Sequence, residues 1–278
     1  MERIAIIASS EDLAGVNIGN NLTELFDFEK LEDKYGGNNI YQYTKIQNKI
    51  IKLYLTNNEL IHSENIDQEI DADIFIFASK HRSKENTKSF AVHSIGNWGK
   101  AELGGREGNL CNSSAALMKN LFLELNENAV NTGYEITMEA THHGPHVEKP
   151  AVFVEVGSTE EEWKNKENGE VLAKTIINGV KNENNNYRTA IGIGGPHYCN
   201  NFNKIALKTD IAFSHICPKY ALNHLNEELI IQSIDKTKEK VEFAVLDWKG
   251  LGQERERIIN ILKNLNLEFK RSDQILKN

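Results

Sequence analysis

Ala151-Val152-Phe153-Val154-Glu155-Val156-Gly157-Ser158-Thr159-Glu160-Glu161-Glu162 passes from an apolar, β-branched run into a helix start within two residues. Residues 151–157 have the composition of a strand. Ser158-Thr159 followed by three glutamates supplies a cap and the acidic first turn that a helix dipole favours. Beyond it, residues 159–181 place Trp163, Val171, Ile176, Ile177 and Val180 at helical spacing. Strand followed directly by long helix is the repeating unit of an α/β sheet. Similar apolar runs lie at 3–8, 50–55, 73–78, 89–95, 134–139, 189–194, 210–216 and 241–247. Helix-length segments at 112–130, capped by Ser113 or Ser114, and at 252–265 carry the same apolar spacing. Residues 35–58, rich in Asn, Tyr and Thr, read as a hairpin, so the expected sheet is mixed but mostly parallel.

The length of 278 residues leaves one or two domains open, and an apolar fraction of 40% suffices for a sizeable core. The longest unbroken apolar stretch, Ile74 to Ala78, falls far short of the ~20 residues of a membrane-spanning helix. Met1-Glu2-Arg3 runs straight into the strand-like Ile4–Ala8 with no signal-peptide architecture, so a cytoplasmic protein is expected. Cys111, Cys199 and Cys217 are scattered and show no C-x-x-C spacing, which suggests neither a disulfide framework nor a cysteine zinc knuckle. A net charge of -8 disfavours indiscriminate attachment to nucleic acid and requires a local basic patch for any specific one.

Histidine placement carries most of the chemistry. His81, the group His142, His143 and His146, His197 and His215 each follow or close an apolar run. Loops at the carboxyl ends of strands converge on the ligand crevice of an open α/β sheet, so these side chains can form one cluster. Gly144-Pro145 forces a turn expected to bring His142, His143 and His146 round one point. Glu139 and Glu155 stand inside apolar runs, where an ionised carboxylate is costly unless a cation or several donors meet it. Three histidines with a carboxylate suit zinc, and a water activated by the metal beside a carboxylate base makes a hydrolytic site. Gly192-Ile193-Gly194-Gly195 does not match a dinucleotide fingerprint, and no serine-hydrolase elbow is present. The stretch 79–88 carries four cations against one acid. Its Lys80, Arg82 and Lys84, with Lys100, Arg106, Lys219 and Lys249 near Gly or Pro, are the candidate phosphate contacts.

At these residues the chain resembles the archaeal and plant type of D-aminoacyl-tRNA deacylase, nearly end to end. The resemblance rests on Ser79-Lys80-His81-Arg82-Ser83, Ala91-Val92-His93-Ser94-Ile95-Gly96-Asn97, the stretch Tyr134 to Pro145, Phe153 to Trp163, Ile191 to Tyr198, Pro218-Lys219-Tyr220-Ala221-Leu222 and Leu246-Asp247-Trp248-Lys249-Gly250. It implies a single domain over residues 1–278 with a three-layer α/β/α fold similar to peptidyl-tRNA hydrolase and nucleoside phosphorylases. It also implies a monomer with two zinc ions per chain that cleaves the ester joining a D-amino acid to tRNA. The combined expectation assigns His81, His142, His143, Glu155, His197 and His215 to metal, Glu139 to the attacking water, and His93 to proton transfer toward the leaving ribose oxygen. Two other readings use the same residues. One is a nucleoside phosphorylase-like or small-amide metallohydrolase that does not act on tRNA; the other is a tRNA-binding protein whose histidines are structural.

Overall fold

Each apolar run read from the sequence is a strand in the computed structural model, which describes residues 1–83 and 85–277. The chain opens with β1 (Glu2–Ser9), α1 (Leu13–Leu25), β2 (Glu29–Tyr35), β3 (Asn38–Tyr43) and β4 (Lys49–Thr56). The one-turn α2 (Ile66–Glu69) leads to β5 (Ile74–His81), β6 (Ser89–His93), the short β7 (Gly96–Asn97) and β8 (Asn109–Leu110), and α3 (Ala115–Asn128). β9 (Glu135–Met138) and β10 (Ala151–Gly157) precede α4 (Glu160–Lys164) and α5 (Lys166–Lys181). Strand and helix then alternate through β11 (Arg188–Ile193), α6 (Asn200–Lys208), β12 (Ile211–Cys217), α7 (Glu227–Asp235), β13 (Val241–Leu246), α8 (Arg255–Asn264), β14 (Phe269–Arg271) and α9 (Ser272–Ile275).

The α/β, mostly parallel character expected from the sequence holds, but the strands divide between two main sheets. The larger has eight strands in the order β2-β3-β4-β1-β5-β10-β6-β9. β1 runs parallel to β4 and β5, β10 to β5, and β9 to β6, while β2/β3, β3/β4 and β6/β10 are antiparallel. The second is a parallel sheet in the order β12-β11-β13-β14. Helices α1, α3 and α5 pack together over one face of the large sheet, around Ile6, Ile76, Phe90 and Val154. The opposite face buries Phe75, Phe77 and Phe153, with the Phe77 and Phe153 rings stacked at 4.8 Å. No helix among the described residues is long and apolar enough to cross a membrane.

Residues 139–144 join the sheets. Glu139 N donates to Val92 O of β6, Ala140 N to His197 O beyond β11, and Thr141 N to Ile216 O of β12, at 2.8–3.0 Å. Thr141 Oγ1 in turn accepts from Ile216 N at 2.9 Å. The segment that carries the paired histidines is thereby held by both sheets at once.

The helix start read at Ser158-Thr159 is confirmed at Thr159, although the expected single helix breaks at Asn165, whose side chain caps α5. Glu162 Oε2 accepts from Thr159 N at 2.9 Å and from Thr159 Oγ1 at 2.6 Å, and Lys88 Nζ lies 3.0 Å from Glu162 Oε1. Burial opposes ionisation of Glu162, but the Thr159 bonds and Lys88 outweigh it and hold the carboxyl at about 2. A carboxyl with a depressed folded-state pKa stabilises above its unfolded pKa of about 4.3 and loses that contribution as pH falls toward 2. Glu162→Ala is expected to cost about 0.5–2 kcal/mol at neutral pH. In urea denaturation, the gap from wild type should shrink between pH 4.5 and pH 2.5; a gap independent of pH would contradict this account.

Candidate active site

Strand register sets the first half of the site. In β10, Gly157 lies opposite His81 and Glu155 opposite Ser79 of β5, while Phe153 lies opposite His93 of β6. Side chains alternate along a strand, so Phe153, Glu155, His81 and His93 share one face. Gly157 admits His81, because a Cβ there would stand 2.9 Å from both the Cβ and the carbonyl oxygen of His81. His93 stacks on Phe153 at 5.3 Å and is fully buried. The floor of the site is thus aromatic and dry.

The joining segment supplies the second half. Glu139 is 1% exposed, and His143 takes a left-handed backbone conformation (φ 47°) that brings its ring within 4.3 Å of His142. Glu139 Oε1 is 3.3 Å from His81 Nδ1, and its Oε2 is 3.3 Å from His197 Nε2 and 3.8 Å from His142 Nε2. Glu155 Oε2 is 3.5 Å from His81 Nδ1 and 3.6 Å from His93 Nε2. Two hydroxyls brace the rim: Tyr198 on His81 Nε2 at 3.3 Å and Tyr220 on His197 Nδ1 at 3.2 Å.

Burial opposes charge on every group here, and the outcome depends on each group's neighbours. The Glu139 and Glu155 carboxyls lie below the usual carboxylate range, Glu139 through His197 and His81, Glu155 through His81 and His93. His81 rises to about 9 because Glu155 and Glu139 outweigh its burial, and His93 is raised in the same way by Glu155. His142 and His143, buried beside His93, are pushed down, His143 to about 4. Both remain neutral imidazoles at neutral pH, which is the ligating form.

Several features fit a bound cation. His93, His142 and His143 each turn Nδ1 toward a backbone carbonyl, of Ser94, Ala140 and Gly144 respectively, at 2.6–3.1 Å. In the neutral His142 and His143 that contact sets the tautomer with Nδ1 protonated and leaves Nε2 as a directed lone pair, as in metal-binding histidines; His93, raised by Glu155, would give up its Nε2 proton to a bound cation. Both Glu139 oxygens and His93 Nε2 are buried without a hydrogen bond. Three donor groups have atoms within 4.8 Å of one another: His93, His142 and His143; Glu139, His142 and His197; and His81, Glu139 and Glu155.

The structure thus brings together His81, His93, Glu139, His142, His143, Glu155 and His197. It does not bring in His215, which stays within β12 with Nδ1 3.5 Å from Thr141 Oγ1 and is pushed by burial to about 4. The turn expected to gather three histidines gathers two. His146 points instead to Glu148 Oε1 at 2.8 Å and lies 3.9 Å from Cys111 Sγ. Tyr198 and Tyr220 escaped the sequence reading, although each follows a strand end by a few residues, the rule that selected the histidines.

Two cavities flank His142 and His143. The first, ≈ 430 Å³, reaches Asp12, Lys80, Arg82 and Glu155, and the second, ≈ 360 Å³, reaches Trp98, Lys100 and Tyr220. Of the expected cations, Lys80 and Arg82 line the first, with Arg82 5.1 Å above the Trp163 ring. Lys100 lines the second and Lys219 adjoins it, whereas Arg106 donates to Asn65 Oδ1 at 3.3 Å and Lys249 is exposed beyond β13. Lys84 lies outside the described residues.

A family model described as D-aminoacyl-tRNA deacylase matches residues 68–270. The chain is 38% identical to a D-aminoacyl-tRNA deacylase of Thermococcus kodakarensis over 96% of its length and 98% of the relative's. It is 40% identical to that of Thermococcus onnurineus over 96% and 98%, and 35% identical to that of Archaeoglobus fulgidus over 92% and 91%. A crystal structure of a conserved protein of unknown function superposes with TM-score 0.90 at 33% identity, covering 100% of this chain and 98% of the other.

The close approach at Gly157 makes a testable contrast with Gly19 of α1, where a Cβ meets only Leu53 side-chain atoms at 3.7 Å and beyond. Gly157→Ala is expected to destabilise by about 1–3 kcal/mol through the clash with His81. Gly19→Ala should stabilise by about 0.5–1 kcal/mol through helix propensity. Thermal melts of the two variants check the signs; a neutral Gly157→Ala would remove the packing argument for His81.

Proposed function

The chain belongs to the D-aminoacyl-tRNA deacylase family, and from that premise we propose that it hydrolyses the ester of D-aminoacyl-tRNA as a zinc-dependent, cytoplasmic, one-domain monomer. The reaction frees the D-amino acid and the tRNA, a proofreading of mischarged tRNA. The observation that carries the metal reading is the buried Glu139, whose two oxygens lack hydrogen bonds while three histidines stand within 3.8 Å. The group His93/His142/His143 would hold one ion without Glu139, and His81 with Glu155, 3.5 Å apart, offers a second position that likewise leaves Glu139 to the water. Zinc bound there would supply Lewis acidity toward water and the ester carbonyl.

The remaining work falls to side chains. Glu139, ionised and dry, accepts a proton from the attacking water. His197 holds Glu139 at 3.3 Å and is braced by Tyr220, and its ring keeps 29% exposure at the cavity, so it is placed to return a proton to the leaving ribose oxygen. His93, fully buried and lining neither cavity, belongs in this reading to the ligand set rather than at the ribose oxygen. Lys80, Arg82, Lys100 and Lys219 supply positive charge around the two cavities for tRNA phosphates in a chain of net charge -8.

Exhaustive chelation should abolish hydrolysis of D-tyrosyl-tRNA, and zinc should restore it. Full turnover by protein shown to be metal-free would refute zinc dependence. Glu139→Gln should lower kcat by about 10²-fold or more while the protein still retains zinc, whereas His142→Ala should lose zinc and activity together. Wild-type turnover in Glu139→Gln would take that residue out of the mechanism.

A further inference from the structure

The two cavities share only His142, His143 and Leu103, and Leu103, 56% exposed, forms the lip between them. An ester positioned at the histidines must send its acyl half and its alcohol half to opposite sides of that lip. Resting on the deacylase reading above, we infer that the second cavity is the subsite for the terminal adenosine of tRNA and the first holds the aminoacyl group.

Charge and shape separate the two. The first cavity sets apolar Leu60 and Ile61 beside Glu11, Asp12 and Glu59, which match an amino-acid side chain and its α-ammonium group. Its cations sit among those carboxylates and beside an indole: Lys80 N donates to Asp12 Oδ2 at 2.9 Å, and the Arg82 guanidinium lies 5.1 Å over the Trp163 ring. The second cavity offers flat surfaces instead. Tyr220 is 59% exposed, its hydroxyl held by His197, so the ring is presented at a fixed angle beside the reacting centre. His224 lies against Gly99, where even a Cβ would stand 2.8 Å from its ring. Trp98 closes the wall, and its indole N–H has no acceptor among the described residues. Aromatic faces with nearby cations are the physical requirement for a splayed nucleobase.

The cations continue outward from this cavity. Lys100 lines it, Lys219 precedes Tyr220, and Lys219 N donates to Gly195 O at 2.8 Å. Gly250 packs so closely on Gly195 that a Cβ would come within 2.3 Å of Gly195 N, which brings the Lys249 turn alongside. None of Lys100, Lys219 and Lys249 forms an ion pair among the described residues. They make a track for the phosphates that precede the terminal adenosine.

The three tryptophans allow a direct test, because Trp98 walls the second cavity while Trp163 donates its indole N–H to His81 O beside the first. The full-length, zinc-loaded protein is labelled with 5-fluorotryptophan, its resonances are assigned by Trp→Phe variants, and 5′-AMP is titrated as the terminal nucleotide. The Trp98 resonance should move and that of Trp163 should not. Tyr220→Ala should weaken AMP about tenfold or more, while Tyr220→Phe, which keeps the ring, should stay within about threefold of wild type. Should Tyr220→Ala lose fluorine dispersion and so fail to fold, His224→Ala serves in its place with the same expected weakening. Movement of Trp163 alone, no movement at millimolar AMP, or equal losses in Tyr220→Ala and Tyr220→Phe would overturn the assignment. Hydrolysis of D-tyrosyl-tRNA by the wild type is measured separately. If it occurs while AMP moves only Trp163, the subsite assignment fails and the deacylase reading stands; if no hydrolysis occurs, it is the deacylase reading that fails.

Discussion

Backbone hydrogen bonds from Glu139, Ala140 and Thr141 to Val92, His197 and Ile216 tie the two main sheets into one body. Everything chemical in the molecule depends on that seam. It delivers Glu139, His142 and His143 from one segment, while His81, His93 and Glu155 come from three adjoining strands of the larger sheet and His197 from the exit of a strand in the smaller one. Backbone groups are obligatory hydrogen-bonding partners, so this pairing is at once structural and the means by which the two halves of the site meet.

Two carboxylates buried at 1% and 3% exposure are the electrostatic cost of that arrangement. An isolated buried charge is prohibitive, and it persists only where opposite charge or several donors meet it. Here the charges alternate, anionic Glu139 and Glu155 against raised His81 and His93, with neutral His142 and His143 beside them. The aromatic floor of Phe77 and Phe153 excludes water beneath the cluster, which strengthens each of these interactions.

Nine strands were legible because they are apolar runs, most of them buried on both faces, a signal that local composition carries. α1 was not, since Leu13–Leu25 contains Gly15, Gly19 and three asparagines, all poor helix formers; tertiary packing overrides propensity there, with Gly15 set against Ala78 O. Charged β2 escaped for the complementary reason: it is an exposed edge strand with no apolar face to show. The division into two sheets was hidden because it is decided by hydrogen bonds between residues 75 positions apart, such as Thr141 and Ile216. In the site, strand-end histidines were found by position, yet position could not distinguish His197, which turns toward Glu139, from His215, which stays within its own sheet. His93 was singled out for proton transfer, but its place under the cluster follows only from the register with Phe153.

The seam also bears on when the protein becomes competent during its own synthesis. Three of the seven converging residues, His81, His93 and Glu139, emerge before residue 140, but His197 follows only with β11, and its partner sheet is completed by β14 near the carboxyl end. Contacts of such long sequence separation form late, after the loops they close have been ordered. A nascent chain that has reached residue 157 therefore carries six of the seven residues, but neither His197 nor the Ile216 partner that anchors residues 139–144. A ligand that recognised only the docked arrangement would draw the folding equilibrium toward it by mass action. Premature termination before the second sheet thus leaves the segment bearing Glu139, His142 and His143 anchored on one side only, without His197 to complete the cluster.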